Sequence, residues 1–125
     1  MFPKASYTIT ADRYAPHEDY IDVIGYDFTG ATTKMEVRDT PNGGTVRATT
    51  DDTVTVDIDV TTTEGVPTTR FTWVIPEVTM EAMPTDPADP SGPHELSYDM
   101  HITPSGGTKF VAWGGKFIVD EGTTQ

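Results

Sequence analysis

The chain has 125 residues, with 8 Lys plus Arg against 20 Asp plus Glu, a formal net charge of −12 and no cysteine. That balance gives no electrostatic drive toward phosphate backbones, no apolar run near the ~18 residues of a membrane helix, and no disulfide, thiolate metal site or thiol nucleophile. What remains is the composition of a folded domain, 35% hydrophobic and 22% charged with 23 threonines, and a length that supports one core burying roughly two-thirds of the unfolded surface.

Thr, Val and Ile are stiff at χ1 and fit pleated, half-buried surfaces, so the pattern points to strands. Tyr7, Ile9 and Ala11 alternate with Thr8, Thr10 and Asp12. Tyr20 to Tyr26 is a more continuous apolar run, and Met35 and Val37 alternate with Lys34, Glu36 and Arg38. The clearest run is Thr53 to Thr61, which sets Val54, Val56, Ile58 and Val60 on a core face and Thr55, Asp57 and Asp59 on the other. Phe71, Trp73 and Ile75 share one face, and Leu96, Tyr98, Met100 and Ile102 alternate with polar residues. The final pair of strands is expected over Phe110 to Trp113 and Lys116 to Val119, broken by Gly114-Gly115.

Turn chemistry separates these runs at Pro41-Asn42-Gly43-Gly44, Glu64-Gly65 and Pro104-Ser105-Gly106-Gly107. Pro76 followed by good helix formers, then Pro84, predicts one short helix near 77–83. Three prolines between residues 85 and 93 exclude a central strand or helix interior and predict a projecting loop. The expectation is one all-β domain over 1–125, an antiparallel β-sandwich of seven to nine strands, with an arm at 1–5 and a flexible tail at 120–125. Met1-Phe2-Pro3-Lys4 leads straight into patterned sequence, so no signal peptide is expected.

Few residues offer chemistry. His17, His94 and His101 are far apart with no metal-ligand spacing, and are expected as solvated surface groups. Asp57 and Asp59 lie on one strand face about 7 Å apart. With Asp51 and Asp52 they are the residues a calcium ion would use, although no EF-hand ladder is present. A charged outer face that keeps the sheet soluble explains the same residues. The four serines lack a nucleophile-elbow setting, and the glycine pairs open no helix. Trp73 and Trp113 could form a sugar-stacking platform, but their apolar-face positions favour the core. No cofactor and no catalytic residue is expected.

The element order resembles the immunoglobulin-like domain found in virion proteins of tailed bacteriophages and prophages. It is similar to the N-terminal domain of upper baseplate proteins and to stand-alone tail-fibre-associated relatives. The resemblance runs from Ser6 to Thr124. It is carried by Tyr26-Asp27-Phe28-Thr29-Gly30-Ala31 before Met35-Glu36-Val37-Arg38, by Thr69 to Pro76 entering the short helix, and by Glu95 to Ile102 followed by a glycine turn and Gly115-Lys116-Phe117-Ile118-Val119. The turn motif Phe28-Thr29-Gly30 has phenylalanine where the family pattern has leucine, and the 85–93 loop replaces a short connection.

The resemblance implies an immunoglobulin-like sandwich serving as a structural virion subunit, in the tail, baseplate or fibre attachment, made in the bacterial cytoplasm. Capsid decoration is the neighbouring alternative. A carbohydrate-binding or calcium-dependent adhesion module is the alternative of another class. The implied partners are other virion proteins in multiple copies, not nucleic acid or membrane. The segments least explained by core packing are Met1, Phe2 and Pro3 and the loop prolines Pro87, Pro90 and Pro93, which are the expected contacts.

Overall fold

β-branched and aromatic residues at alternate positions form strands wherever one face can be covered. The computed structural model describes residues 5–41, 44–50, 53–85, 88 and 92–121, and these build two facing sheets. The first holds β1 (Ala5–Ser6), β2 (Ile9–Asp12), β4 (Thr32–Arg38), β5 (Val46–Thr49), β8 (His94–Thr103) and β9 (Phe110–Asp120). Its order is β1-β9-β8-β4-β5, with β2 also on β9. The second sheet is β3 (His17–Ile24), β7 (Val66–Ile75) and β6 (Thr55–Thr63), in the order β3-β7-β6. A helix, α1 (Glu77–Glu81), links β7 to β8. The protein is an all-β sandwich.

One core lies between the sheets. Phe71 and Trp73 of β7 face Trp113 of β9, with ring centroids 5.4 and 6.4 Å apart. Met35, Leu96, Met100 and Phe117 surround them and are fully buried. Both tryptophans are core residues and form no exposed platform, with exposures of 0% and 2%. Glu64 and Gly65 make the two-residue β6–β7 hairpin at φ 52° and 80°, the positive pair a type I′ turn requires.

Several boundaries depart from the sequence pattern. Gly114-Gly115 does not separate two strands: β9 runs through it and stays paired, Asp99 with Gly114 and Tyr98 with Gly115. A Cβ at Gly114 would lie 2.5 Å from Asp99 Oδ1, and one at Gly115, whose φ is 150°, would lie 2.9 Å from the Tyr7 carbonyl oxygen. Gly115 therefore lets the first strands approach the last, and Gly114 lets the Asp99 side chain of β8 lie close against β9. β1 and β2 run parallel to β9, so the sandwich is antiparallel only in its other pairings. Tyr7 lies in the break between β1 and β2 and is exposed, because the chain bends around the Gly115 step while Tyr7 N–H donates to the Gly114 carbonyl.

The run from Tyr20 to Tyr26 is an alternating edge strand, not a continuous apolar one. Ile21 and Val23 turn inward, while Tyr20, Ile24 and Tyr26 are exposed. Val54 precedes β6, and Val56, Ile58 and Val60 are only half-buried, since β6 is the edge of its sheet. The helix stops at Glu81, not at 83, with Ala82 as its C-cap; Met80 and Met83 still reach the core.

Arg13, which the alternating pattern gives no reason to bury, is 5% exposed. Its Nε donates to both Glu121 carboxylate oxygens at 2.8 Å. Its Nη groups donate to the carbonyls of Glu81 (3.2 Å), Met83 and Pro84 (2.9 Å). One guanidinium thus satisfies the carbonyls at the C-terminal end of α1 and ties them to β2 and to the end of β9. Arg13→Met should cost about 3 kcal/mol in urea unfolding, because a part-buried carboxylate and three carbonyls lose their donor. Arg13→Lys should not restore the loss, since an ammonium lacks the planar fork.

Candidate functional site

The turn motif is structural. Phe28 is buried and packs on Phe71 at 5.7 Å and alongside Tyr26 at 5.9 Å. Thr69, fully buried on β7, accepts the Phe28 N–H at 3.0 Å and donates to the Tyr26 carbonyl at 2.8 Å. Asp27 accepts the Thr29 N–H at 2.9 Å and the Thr29 hydroxyl at 2.5 Å, which holds its carboxyl below the ordinary carboxylate range. Gly30 takes φ 79° and delivers the chain into β4. Phe28, Thr29 and Gly30 therefore fasten a turn to the opposite sheet and present no reactive group.

Of the acidic candidates, Asp57 and Asp59 lie among the described residues. Asp57 and Asp59 are exposed on the outer face of β6, in register with Thr72 and Arg70 of β7. Asp51 and Asp52 lie outside the described residues, as do Met1, Phe2, Pro3, Pro87 and Pro90; Pro93 is exposed just before β8. Among the described residues no three His, Asp or Glu side chains are placed to share a metal. No helix among them is long and apolar enough to cross a membrane.

A concavity of about 610 Å³ lies over the outer face of the first sheet. Its floor is Gly114-Gly115, with Ser6 and Ser97 beside Asp99. Its charges are largely paired: Glu36 with Arg38 at 2.7 Å and Lys34 at 3.7 Å, and Glu95 with Lys116 at 3.4 Å. The second sheet's outer face is different. Arg70 lies over the Tyr20 ring at 4.0 Å and donates to both Asp22 oxygens, at 2.7 and 3.0 Å. Those bonds lower the Asp22 pKa and raise that of Arg70. A shallow recess of about 230 Å³ beside this pair is lined by Asp22, Asp59, Thr61, Thr68 and Arg70.

The open edge of β3 is shielded by its own side chains. Gly25 N–H bonds the Pro67 carbonyl, so odd-numbered β3 residues bond β7 and the Tyr20 N–H points away from it. Asp19 Oδ1 takes that N–H at 2.8 Å, and Oδ2 takes the Tyr7 hydroxyl at 3.3 Å. An inward-leaning carboxylate that occupies an edge donor discourages indiscriminate strand pairing.

His17 corrects the expectation of three solvated histidines. It is 8% exposed, while His94 and His101 are half-buried. Trp73 Nε1 can only donate, and it does so to His17 Nε2 at 3.2 Å, so the His17 proton sits on Nδ1. The ring also meets Phe117 edge-on at 5.8 Å. Burial, the leading influence, lowers the His17 pKa from 6.5 against the opposing pull of Asp19 and Asp12. No period-two pattern could show this, because His17 occupies an inward position next to a tryptophan two residues from its register partner, Ile75.

The chain matches no protein-family model and no curated protein.

Because the unfolded imidazole titrates near its ordinary value and the folded one below it, the unfolded chain holds more protons in between. Stability should therefore be full above about pH 6.5 and fall as pH drops toward the folded value. His101, also shifted down by burial, adds to the same slope. Urea unfolding of wild type and His17→Gln from about pH 7.5 to about pH 5.5 isolates the His17 share, and the variant should show the flatter dependence.

Proposed function

We propose that this chain is a non-enzymatic structural subunit of a tailed-bacteriophage virion. Its place is in the tail apparatus, as a baseplate, adaptor or fibre-attachment component made in the host cytoplasm. The observation that carries the reading is the strand order. β3, β7 and β6 form one sheet, and the other runs β1/β2-β9-β8-β4-β5, which supports an immunoglobulin-type arrangement with the first strand split along the last. The helix α1 falls between β7 and β8, where the sequence resemblance expects it.

The described surface supports a docking role over a chemical one. Carboxylates line the outward positions at Asp12, Asp57, Asp59, Glu95 and Asp99, while the two tryptophans that could have formed a sugar platform are in the core. Acidic coats of this kind keep like copies apart until a complementary surface neutralises them.

Purified virions from the producing host test the reading. The protein should band with intact particles at a copy number set by tail symmetry, on the order of three to twelve. A count on the order of hundreds would move it to the capsid exterior as a decoration protein. Recovery only outside the particles would end the virion reading altogether.

A further inference from the structure

Exposed apolar residues and unpaired charge coincide on one surface of this molecule. Eight large apolar side chains are exposed among the described residues, and four lie on the outer face of the β3-β7-β6 sheet or at its rim: Tyr20 (50%), Ile24 (71%), Tyr26 and Val66. The Arg70–Asp22 pair stands between Tyr20 and Ile24, with the guanidinium fixed over the tyrosine ring. Tyr and Arg are enriched in binding hot spots, and here Tyr20 and Arg70 lie within the face, with Ile24 and Val66 at the end nearest the β6–β7 hairpin.

The charge on this face is unspent. Glu18, Asp57 and Asp59 point outward and form no ion pair among the described residues, and the face's one arginine is already bonded to Asp22. The opposite sheet pairs most of its outer charges internally. A second copy meeting this face through a twofold axis near its middle would oppose carboxylate to carboxylate.

We propose that the outer face of β3-β7-β6 is a protein-docking surface, and that its occupant is a different protein. That partner presents an apolar or aromatic patch, seated on Tyr20, Ile24 and Val66, and beside it Lys and Arg that pair with Glu18, Asp57 and Asp59. The surface rests on charge and exposure alone and holds whether or not the partner is a virion protein.

The test begins with a photo-reactive phenylalanine placed at Ile24 and, as control, at Val78 on α1. Val78 is also highly exposed but sits at the opposite end, beside the Ile75 end of β7. The adduct should form at position 24 and not at 78, with a protein whose contacting segment is basic. Affinity of the purified chain for that protein should then fall roughly tenfold or more with Ile24→Asp and with the paired Asp57→Lys, Asp59→Lys change, and should weaken with added salt. All these positions point outward, so the melting temperature should stay near that of wild type; Thr72→Lys, which adds to the same face a charge of the partner's own sign, should weaken binding without altering the fold. Equal adducts at 24 and 78, an adduct with a second copy of the chain, or affinity indifferent to Ile24→Asp would overturn the proposal. A confirmed partner that is absent from virions would sink the proposed function and leave this surface standing.

Discussion

Trp73 of one sheet packs against Trp113 of the other, with Phe71 edge-on to the same indole, and the two sheets are held face to face around that cluster. No disulfide pins them, since the chain has no cysteine. A buried aromatic removes on the order of 150–250 Å² from water, worth roughly 4–6 kcal/mol at about 25 cal/mol per Å². The cluster also constrains polar groups. The Trp73 N–H needs an acceptor in the core, and His17 supplies it at the start of β3. Near Trp113, the bare Gly115 admits the Ser6-Tyr7 backbone against β9, and the Tyr98 hydroxyl donates to the Tyr7 carbonyl at 2.6 Å across that junction.

Around this core the molecule spends its polar groups unevenly. Arg13 gathers the carbonyls at the end of α1 and Thr69 pins the turn at Phe28, whereas the buried Trp113 Nε1 has no hydrogen-bond partner among the described residues. The outer face of the first sheet is cross-linked by its own ion pairs, and Asp19 shields the open edge of β3. Among the described residues, the outer face of the three-stranded sheet combines exposed Tyr20, Ile24 and Val66 with carboxylates that form no ion pair. That combination is what the proposed docking role rests on.

Much of this was legible along the chain. Period-two alternation placed Ile9, Ala11, Met35, Val37, Leu96, Met100 and Ile102 inward, and all are buried. It also placed Asp57 and Asp59 outward. Glu64-Gly65 and Gly30 marked turns because few other residues accept positive φ at low cost. The pattern was less informative where a residue's environment depends on a distant strand. Tyr20 and Ile24 look like core residues by composition, yet they face water because β3 is an edge whose outer side has no covering layer. Gly114-Gly115 looks like a break in the chain, yet the ladder to β8 continues through it.

By itself the sequence determined the fold class, the inward and outward positions of most strands, and the absence of thiol chemistry, because these follow from side-chain period and residue type. Only the tertiary structure decided the rest. It buried His17 and Arg13, whose partners lie 56 residues away at Trp73 and 108 residues away at Glu121. It ran β1 and β2 parallel to β9, and it left one sheet face with both apolar side chains and unanswered charge. The physical reason is range: alternation is local, whereas hydrogen-bond partners, strand neighbours and the cover over a sheet are set by residues that meet only when the chain folds.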